Sequence, residues 1–407
     1  MADAGAIKRE AVVLARLVAE AYPEDALTYA LLGSAYYNTG QSEEATRQLR
    51  RCLELSPHQA EAYAILALIA YEKGELEETV RLCQEALKNG PPGAEVLNRL
   101  GRAQMDLGQA EAAIPTLRRA ADLPKPVSES AYLLGQAYLQ SGDPAAAKES
   151  FLRATTLLPD HTQGFFGLYT ACLRLGQTNE SARYREQFQK LEAIDRKTLS
   201  DQGAQEEGLT GINQVRTTVA RTFFGAAQLH QSHGQSAKAS ELFIKCAVLD
   251  PDSLTYRSAL ESVHVQSKAP ADGIAAFEQL IRQEPDNGLN YYFLARFHSR
   301  LEHPEAAERC YQRVGELIPD WPESYRALAD LYLRTGRKLP QAKQLALRVV
   351  EMDPTASHFF LLAVACMRNG DRPGALDAGG RAASLSPGEA KYRQFLERLN
   401  QTPQTAK

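Results

Sequence analysis

The sequence predicts an all-α protein, a stack of short antiparallel helix pairs that grows in one dimension. Three observations predict it. Proline recurs at a nearly constant interval, at Pro57, Pro91, Pro159, Pro251, Pro285, Pro319, Pro354 and Pro387, and most gaps are 34 residues or a multiple of that with a local slip. Between the prolines, apolar residues fall at i, i+3, i+4 and i+7, the spacing of one helix face. A glycine interrupts most of these runs. A period of this size marks repeated helix-turn-helix units rather than one core with a pocket.

Residues 8–22 read as a second helix with no first helix before it. Ala11, Ala15 and Val18 stand where Ala45, Leu49 and Cys52 stand in the following unit. Residues 1–25 are therefore expected to be a capping helix or the remnant of a truncated repeat. In residues 26–57, Tyr29, Leu32, Gly33 and Tyr36 share one helix face, and Gly40 breaks that helix. Ala45, Leu49 and Cys52 line a second helix. Pro57 ends it, because proline lacks an amide proton and clashes with the preceding turn.

These residues reproduce a known pattern: large, x2, Leu, Gly, x2, Tyr, then Ala, x3, large, then Pro. The chain resembles the tetratricopeptide repeat family over nearly its whole length. The second unit has Tyr63, Leu66, Ala67, Gly74, Cys83, Ala86 and Pro91. The third has Leu97, Leu100, Gly101, Gly108, Ala113, Leu117 and Ala120, with Pro124 one place early. The fourth has Leu134, Gly135, Tyr138, Gly142, Ala147, Phe151, Ala154 and Pro159. The fifth fades: Phe165, Leu168 and Gly176 fit, but Ser181 and Arg185 replace a small and a large apolar residue.

The sixth unit recovers with Phe223, Ala226, Ala227, Gly234, Ala239, Phe243, Cys246 and Pro251. The seventh is weak in its first helix, where Arg257, Leu260 and Glu261 stand, but has Phe277, Leu280 and Pro285. The eighth has Tyr291, Leu294, Ala295, Ala307, Tyr311 and Pro319. The ninth has Tyr325, Leu328, Ala329, Tyr332, Gly336 and Pro354, with one extra residue near Lys338. The tenth, one residue short, has Phe360, Ala363, Ala375, Ala382 and Pro387. Gly33, Ala67, Gly101 and Gly135 are expected where the two helices of a unit cross, since bulk there would push the axes beyond the usual 8–10 Å.

The period slips in the middle. Pro159 and Pro251 stand 92 residues apart, where two units would need 68. Phe188, Leu191 and Ile194 continue one helix, and Leu209, Ile212, Val215 and Val219 lead into the next, around a turn at Ser200-Asp201-Gln202-Gly203. The expected organisation is units one to five over 26–193, an inserted helical hairpin or linker over 194–219, units six to ten over 220–387, and a C-terminal capping helix and tail over 388–407. Tyr392, Phe395, Leu396 and Leu399 form the single apolar stripe that a cap needs.

The bulk composition suits a helical scaffold: 44% hydrophobic, 24% charged and a net charge of −4 over 407 residues. That balance gives no support for nucleic acid as a partner. No stretch is long and apolar enough to span a membrane, and no secretory signal opens the chain, so direct membrane insertion is not expected. The expected compartment is the cytoplasm, or the periplasm if an upstream signal has been removed. Six cysteines are spread over six units without close pairing, and read as free buried thiols. His230, His264 and His298 recur at a spacing of 34. Rings one repeat apart, on the order of 10 Å, cannot share a metal that needs bonds of about 2 Å, so packed rings are expected. There is no GxxxxGK[ST], HExxH or GxSxG. No catalytic residue, metal or cofactor is expected.

In the family, the first helix of each unit lines the concave side through its positions 2, 5, 9, 12 and 13, with Ala26 as position 1 of the first unit. Carried over, that resemblance implies an apolar inner strip at Tyr37, Leu68, Tyr71, Asn98, Arg102, Met105, Tyr132, Leu139 and Phe166. It implies a cationic wall at Tyr292, Arg296, Arg300, Arg326, Arg334 and Arg368, partly neutralised by Asp330. The family's clamp for a C-terminal carboxylate is absent, because its first-unit positions hold Ala30 and Ser34. The expected function is a non-catalytic scaffold binding a peptide or helical segment of a partner protein in this groove. Two other readings are the regulatory or substrate-recruiting arm of an enzyme such as a glycosyltransferase, and a bacterial envelope-assembly factor. A superhelix of ten units can also fold back and fill its own apolar half.

Overall fold

The computed structural model describes the backbone of residues 4–201 and 205–401, and the side chains of 4–197 and 211–401. Among the described residues there are 22 helices and no strand. They fall into two compact units, Met1–Leu229 and His230–Lys407.

The first unit opens with α1 (Ala4–Ala21), followed by four helix pairs. These are α2 (Ala26–Asn38) with α3 (Ser42–Leu55), α4 (Ala60–Glu72) with α5 (Leu76–Asn89), α6 (Ala94–Asp106) with α7 (Ala110–Ala121), and α8 (Ser128–Ser141) with α9 (Pro144–Leu157). Then come α10 (Thr162–Arg174), α11 (Thr178–Asp201) and α12 (Gln205–Ser232), which runs past the boundary of the unit. The second unit continues with α13 (Ser236–Leu249), α14 (Leu254–Gln266), α15 (Pro270–Gln283), α16 (Gly288–Arg300), α17 (Pro304–Leu317) and α18 (Pro322–Thr335). It ends with α19 (Leu339–Met352), α20 (Ala356–Arg368), α21 (Arg372–Leu385) and α22 (Ala390–Gln401).

Close helix crossings explain the small residues. A Cβ on Gly33 would lie 2.6 Å from Leu49 Cγ, one on Gly101 2.5 Å from Leu117, and one on Gly135 2.6 Å from Phe151 Cε1. Phe151 also presses on Gly167 of the next unit at 2.6 Å, so one large side chain serves two neighbours. That shared burial is why no unit is stable alone. The turn after each first helix needs a left-handed residue, and Gly40, Gly74, Gly108, Gly142, Gly176, Gly234, Gly336 and Gly370 supply it with φ between +69° and +87°. Where glycine is missing, Lys268 and Glu302 adopt the same conformation, with φ of +54° and +57°.

Helices α1 and α22 both bury an apolar stripe against their neighbours. Ala11, Ala15 and Val18 of α1 are buried, and Arg16 Nε donates to the Tyr36 hydroxyl at 2.8 Å. Tyr392 and Phe395 of α22 stack on Phe360, with ring centroids 5.1 and 5.2 Å apart. In the middle, α11 and α12 are 24 and 28 residues long, about twice their neighbours. Ser200 and Asp201 belong to α11, and the rest of the expected turn, Gln202 and Gly203, lies outside the described residues. In the fading fifth unit, Ser181 is buried and its Oγ donates to the Tyr169 carbonyl at 3.4 Å, while Arg185 is exposed.

All six cysteines are free, and five are buried. Burial pushes the Cys52 and Cys83 thiols up to about 11, so they pack as small hydrophobes. His230 and His264 are buried rings, and His264 Nε2 sits 2.8 Å from Ser240 Oγ. Among the described residues, no group of three or more His, Cys, Asp or Glu is placed to hold a metal ion. None of the described helices is long and apolar enough to cross a membrane.

Candidate functional site

The first helices of successive units lie side by side, and their inner side chains meet one repeat apart. In the first unit these contacts form a ladder. The Tyr37 hydroxyl donates to Glu72 Oε1 at 2.5 Å, and the Tyr71 hydroxyl donates to Asp106 Oδ2 at 2.9 Å. Burial and the Glu72 carboxylate push Tyr37 up to about 12. Further along, Gln140 Nε2 donates to the Met105 carbonyl at 3.1 Å, and an Arg174 N–H donates to the Leu139 carbonyl at 2.7 Å. Arg102 pairs with Glu129, and the Tyr132 hydroxyl accepts from Gln136 Nε2 at 2.8 Å.

These contacts change the character of the expected apolar strip. Leu68, Tyr132 and Leu139 are half-buried and Met105 is buried, so their carbon surface is largely spent on neighbouring repeats. Among the apolar members Phe166 is exposed, at 44%, with its ring 5.3 Å from Phe188 of α11. Asn98 is buried and its Oδ1 has no hydrogen-bond partner among the described residues.

The second unit holds a polar cavity of about 350 Å³ on α16, α17 and α18. Tyr292, Arg296, Arg300, Arg326 and Arg334 all line it, as does Asp330; Arg368 does not, and its guanidinium lies by Gly336. The wall is not a set of free cations. Arg296 and Arg300 grip the two oxygens of Glu261, at 2.9 and 3.2 Å. Arg326 is held by Glu323 through both Nε, at 2.5 Å, and a terminal nitrogen. Tyr292 also donates to Glu323 at 2.8 Å. Arg334 Nε donates to Asp330 at 2.9 Å, and its terminal nitrogen donates to Ser299 Oγ at 2.6 Å.

The electrostatics follow from these partners. Burial alone would raise the Glu323 pKa, but hydrogen bonds from Arg326 and Tyr292 outweigh it and hold the carboxyl below its usual range. The bond from Glu323 in turn pushes Arg326 further up. Burial and Glu323 raise Tyr292 to about 12. Four guanidiniums meet three carboxylates, which leaves one unbalanced positive charge.

Sequence reasoning missed Glu261, Glu323 and Tyr311. A signal existed for the first. Glu261 occupies the crossing position filled by Gly33 or Ala67 elsewhere, is only 4% exposed, and a carboxylate there demands a partner. On the same helix, Arg257 is fully buried, with Nε donating to Asn290 at 2.7 Å and a terminal nitrogen 3.3 Å from Glu284. The weak first helix of the seventh repeat, α14, therefore carries ions into the interface between repeats.

Among solved structures, MamA is 21% identical over 41% of this chain and 97% of its own, with a TM-score of 0.39. YrrB, described as a TPR protein with an unusual peptide-binding site, is 23% identical over 44% of this chain and 92% of its own, at 0.34. Yeast Tom70 is 15% identical over 94% of this chain and 96% of its own, at 0.39. No curated protein matches the chain significantly. The tetratricopeptide repeat model matches residues 30–94, 98–162 and 326–390, and a second model of the same description matches 264–331. Those stretches span more than half of the 407 residues, and the chain belongs to the tetratricopeptide repeat family.

Proposed function

We propose that this protein is a non-catalytic scaffold that holds a peptide or helical segment of a partner protein against its inner helices. The observation that supports the reading is the cavity on α16 to α18, which four arginines from two successive repeats line. In the first unit, Phe166 offers exposed aromatic surface on the corresponding face. Exposed apolar surface beside oriented hydrogen-bonding groups suits an amphipathic helix or an extended peptide.

Site-specific photocrosslinking tests it. A photoreactive residue at Phe166 or Ser299 should capture a partner from extract, and the same residue at the outward-facing Arg47 or Arg313 should not. Capture from the outer positions alone would overturn the reading.

A further inference from the structure

Resting on that reading, we infer that the cavity on α16 to α18 is a subsite for one carboxylate side chain, an aspartate or glutamate of the bound segment, with the Tyr311 hydroxyl as a donor from the cavity wall. Tyr311 comes from α17, the second helix of its pair, and not from an inner helix. The register that sets Phe151 between Gly135 and Gly167 sets Tyr311 between Ala295 and Ala327. Those alanines are small enough for the ring to pass between α16 and α18 and line the cavity.

The hydroxyl is the unfinished part of the site. Tyr311 is 5% exposed, and its hydroxyl has no hydrogen-bond partner among the described residues. The ring is buried while its oxygen opens onto the cavity, where it is free to donate to a ligand. Burial and the neighbouring Tyr292 raise its pKa, so it stays protonated and can only gain by donating to a negative oxygen. Tyr292 is in the opposite state, since its hydroxyl is already spent on Glu323.

The arginines divide in the same way. Arg326 is spent on Glu323, and acts to keep that carboxylate in place. Arg300 gives only its Nε to Glu261, and Arg334 gives Nε and one terminal nitrogen to Asp330 and Ser299. Both retain N–H groups with no partner among the described residues, and both line the same cavity as Tyr311. Glu261 and Asp330 hold these two guanidiniums in position before a ligand arrives, which lowers the entropic cost of binding. The single unbalanced positive charge matches a carboxylate at −1 better than a phosphate at −1.5 to −2.

The test is a titration of the full chain, with tyrosine ring carbons labelled and followed by NMR at constant ionic strength. The probes are N-acetylglutamate N-methylamide for a side-chain carboxylate, N-acetylalanine for a chain-end carboxylate, inorganic phosphate, and sodium chloride as the blank. The blocked glutamate should shift the Tyr311 signal saturably. Tyr311→Phe, which keeps the ring, should weaken its binding about tenfold, the loss typical of a hydrogen bond to a charged group. Arg300→Gln should weaken it comparably and serves as the second variant if Tyr311→Phe melts early. Arg368→Gln should leave it unchanged.

A Tyr311 signal that responds to no probe, or an unchanged affinity in both variants, would overturn the subsite. Tighter binding of N-acetylalanine or of phosphate would overturn the assignment to a side-chain carboxylate. Photocrosslinking from Phe166 and Ser299 is read separately, so loss of the subsite and loss of the scaffold reading give different results.

Discussion

Gly225 of α12 lies directly against Leu31 of α2: a Cβ on the glycine would stand 2.8 Å from the leucine Cδ1. The two residues are nearly two hundred positions apart, and both belong to the first compact unit. Both also occupy position 6 of their repeats, next to an inner position. Within this unit, a residue of α12 therefore meets the first helix pair. Leu31 is half-buried there and packs on the core around Leu32, Leu49 and Leu66.

That contact predicts a stability effect. Gly225→Leu overpacks the site and should cost about 1–3 kcal/mol, read as a lower melting temperature. Gly211→Leu, on the same helix with open space around its Cα, should cost nothing. Equal behaviour of the two variants would mean that α12 does not rest on α2 in solution.

A second prediction concerns the turn after α16. Glu302 holds φ at +57°, a conformation that costs an ordinary residue roughly 1–2 kcal/mol. Glu302→Gly should recover about 1 kcal/mol and raise the melting temperature, despite glycine's greater entropy when unfolded. Chemical denaturation that finds no gain would show that the turn is not strained.

Glu261 supports the third. Its buried carboxylate joins α14 to Arg296 and Arg300 of α16. Glu261→Gln should destabilise the chain by about 1–3 kcal/mol, less than a fully buried pair would lose, because Arg300 is half-exposed and can turn to water. Denaturant melts of Glu261→Gln and Arg300→Gln, singly and together, would measure the coupling.

Acidification gives the fourth. Glu323 has a folded pKa below its unfolded value, so it adds stability above about pH 4.3, the ordinary glutamate value, and loses that contribution as the pH falls through the depressed one. Glu323→Gln should flatten the acid limb of the stability curve below pH 4.3 and leave its neutral limb parallel to wild type.

The fifth compares the two halves against a captured partner. Arg334→Gln should weaken binding mainly at low salt, because exposed charges are screened beyond roughly 10 Å at 0.1 M. Phe166→Ala should weaken it at every salt concentration, since an aromatic anchor at a hot spot is worth about 2 kcal/mol or more by burial. If Tyr37→Ala and Tyr71→Ala lower the melting temperature and leave affinity unchanged, the apolar strip serves the stack and not the partner.

Helix pairing, the glycine turns and the small residues at the crossings were legible from the sequence by itself. Each depends on residues within one repeat or its neighbour, and a 34-residue period repeats the same local solution until the pattern stands out. Gly33 against Leu49 and Gly135 against Phe151 are such cases. Four of the arginines the resemblance singled out, Arg296, Arg300, Arg326 and Arg334, line one cavity. What only the tertiary structure decided was which of those groups are already spent. Tyr37 and Tyr71 turn their hydroxyls to carboxylates one repeat on, Arg296 and Arg300 share Glu261, and Arg326 closes on Glu323. The physical reason is that a repeat pattern specifies positions on a helix face, whereas a hydrogen bond is decided by side-chain rotamers within 3 Å or so of a partner on another helix. The empty hydroxyl of Tyr311 and the approach of Gly225 to Leu31 belong to that second kind, because no local pattern records what a side chain fails to meet or what a distant helix covers.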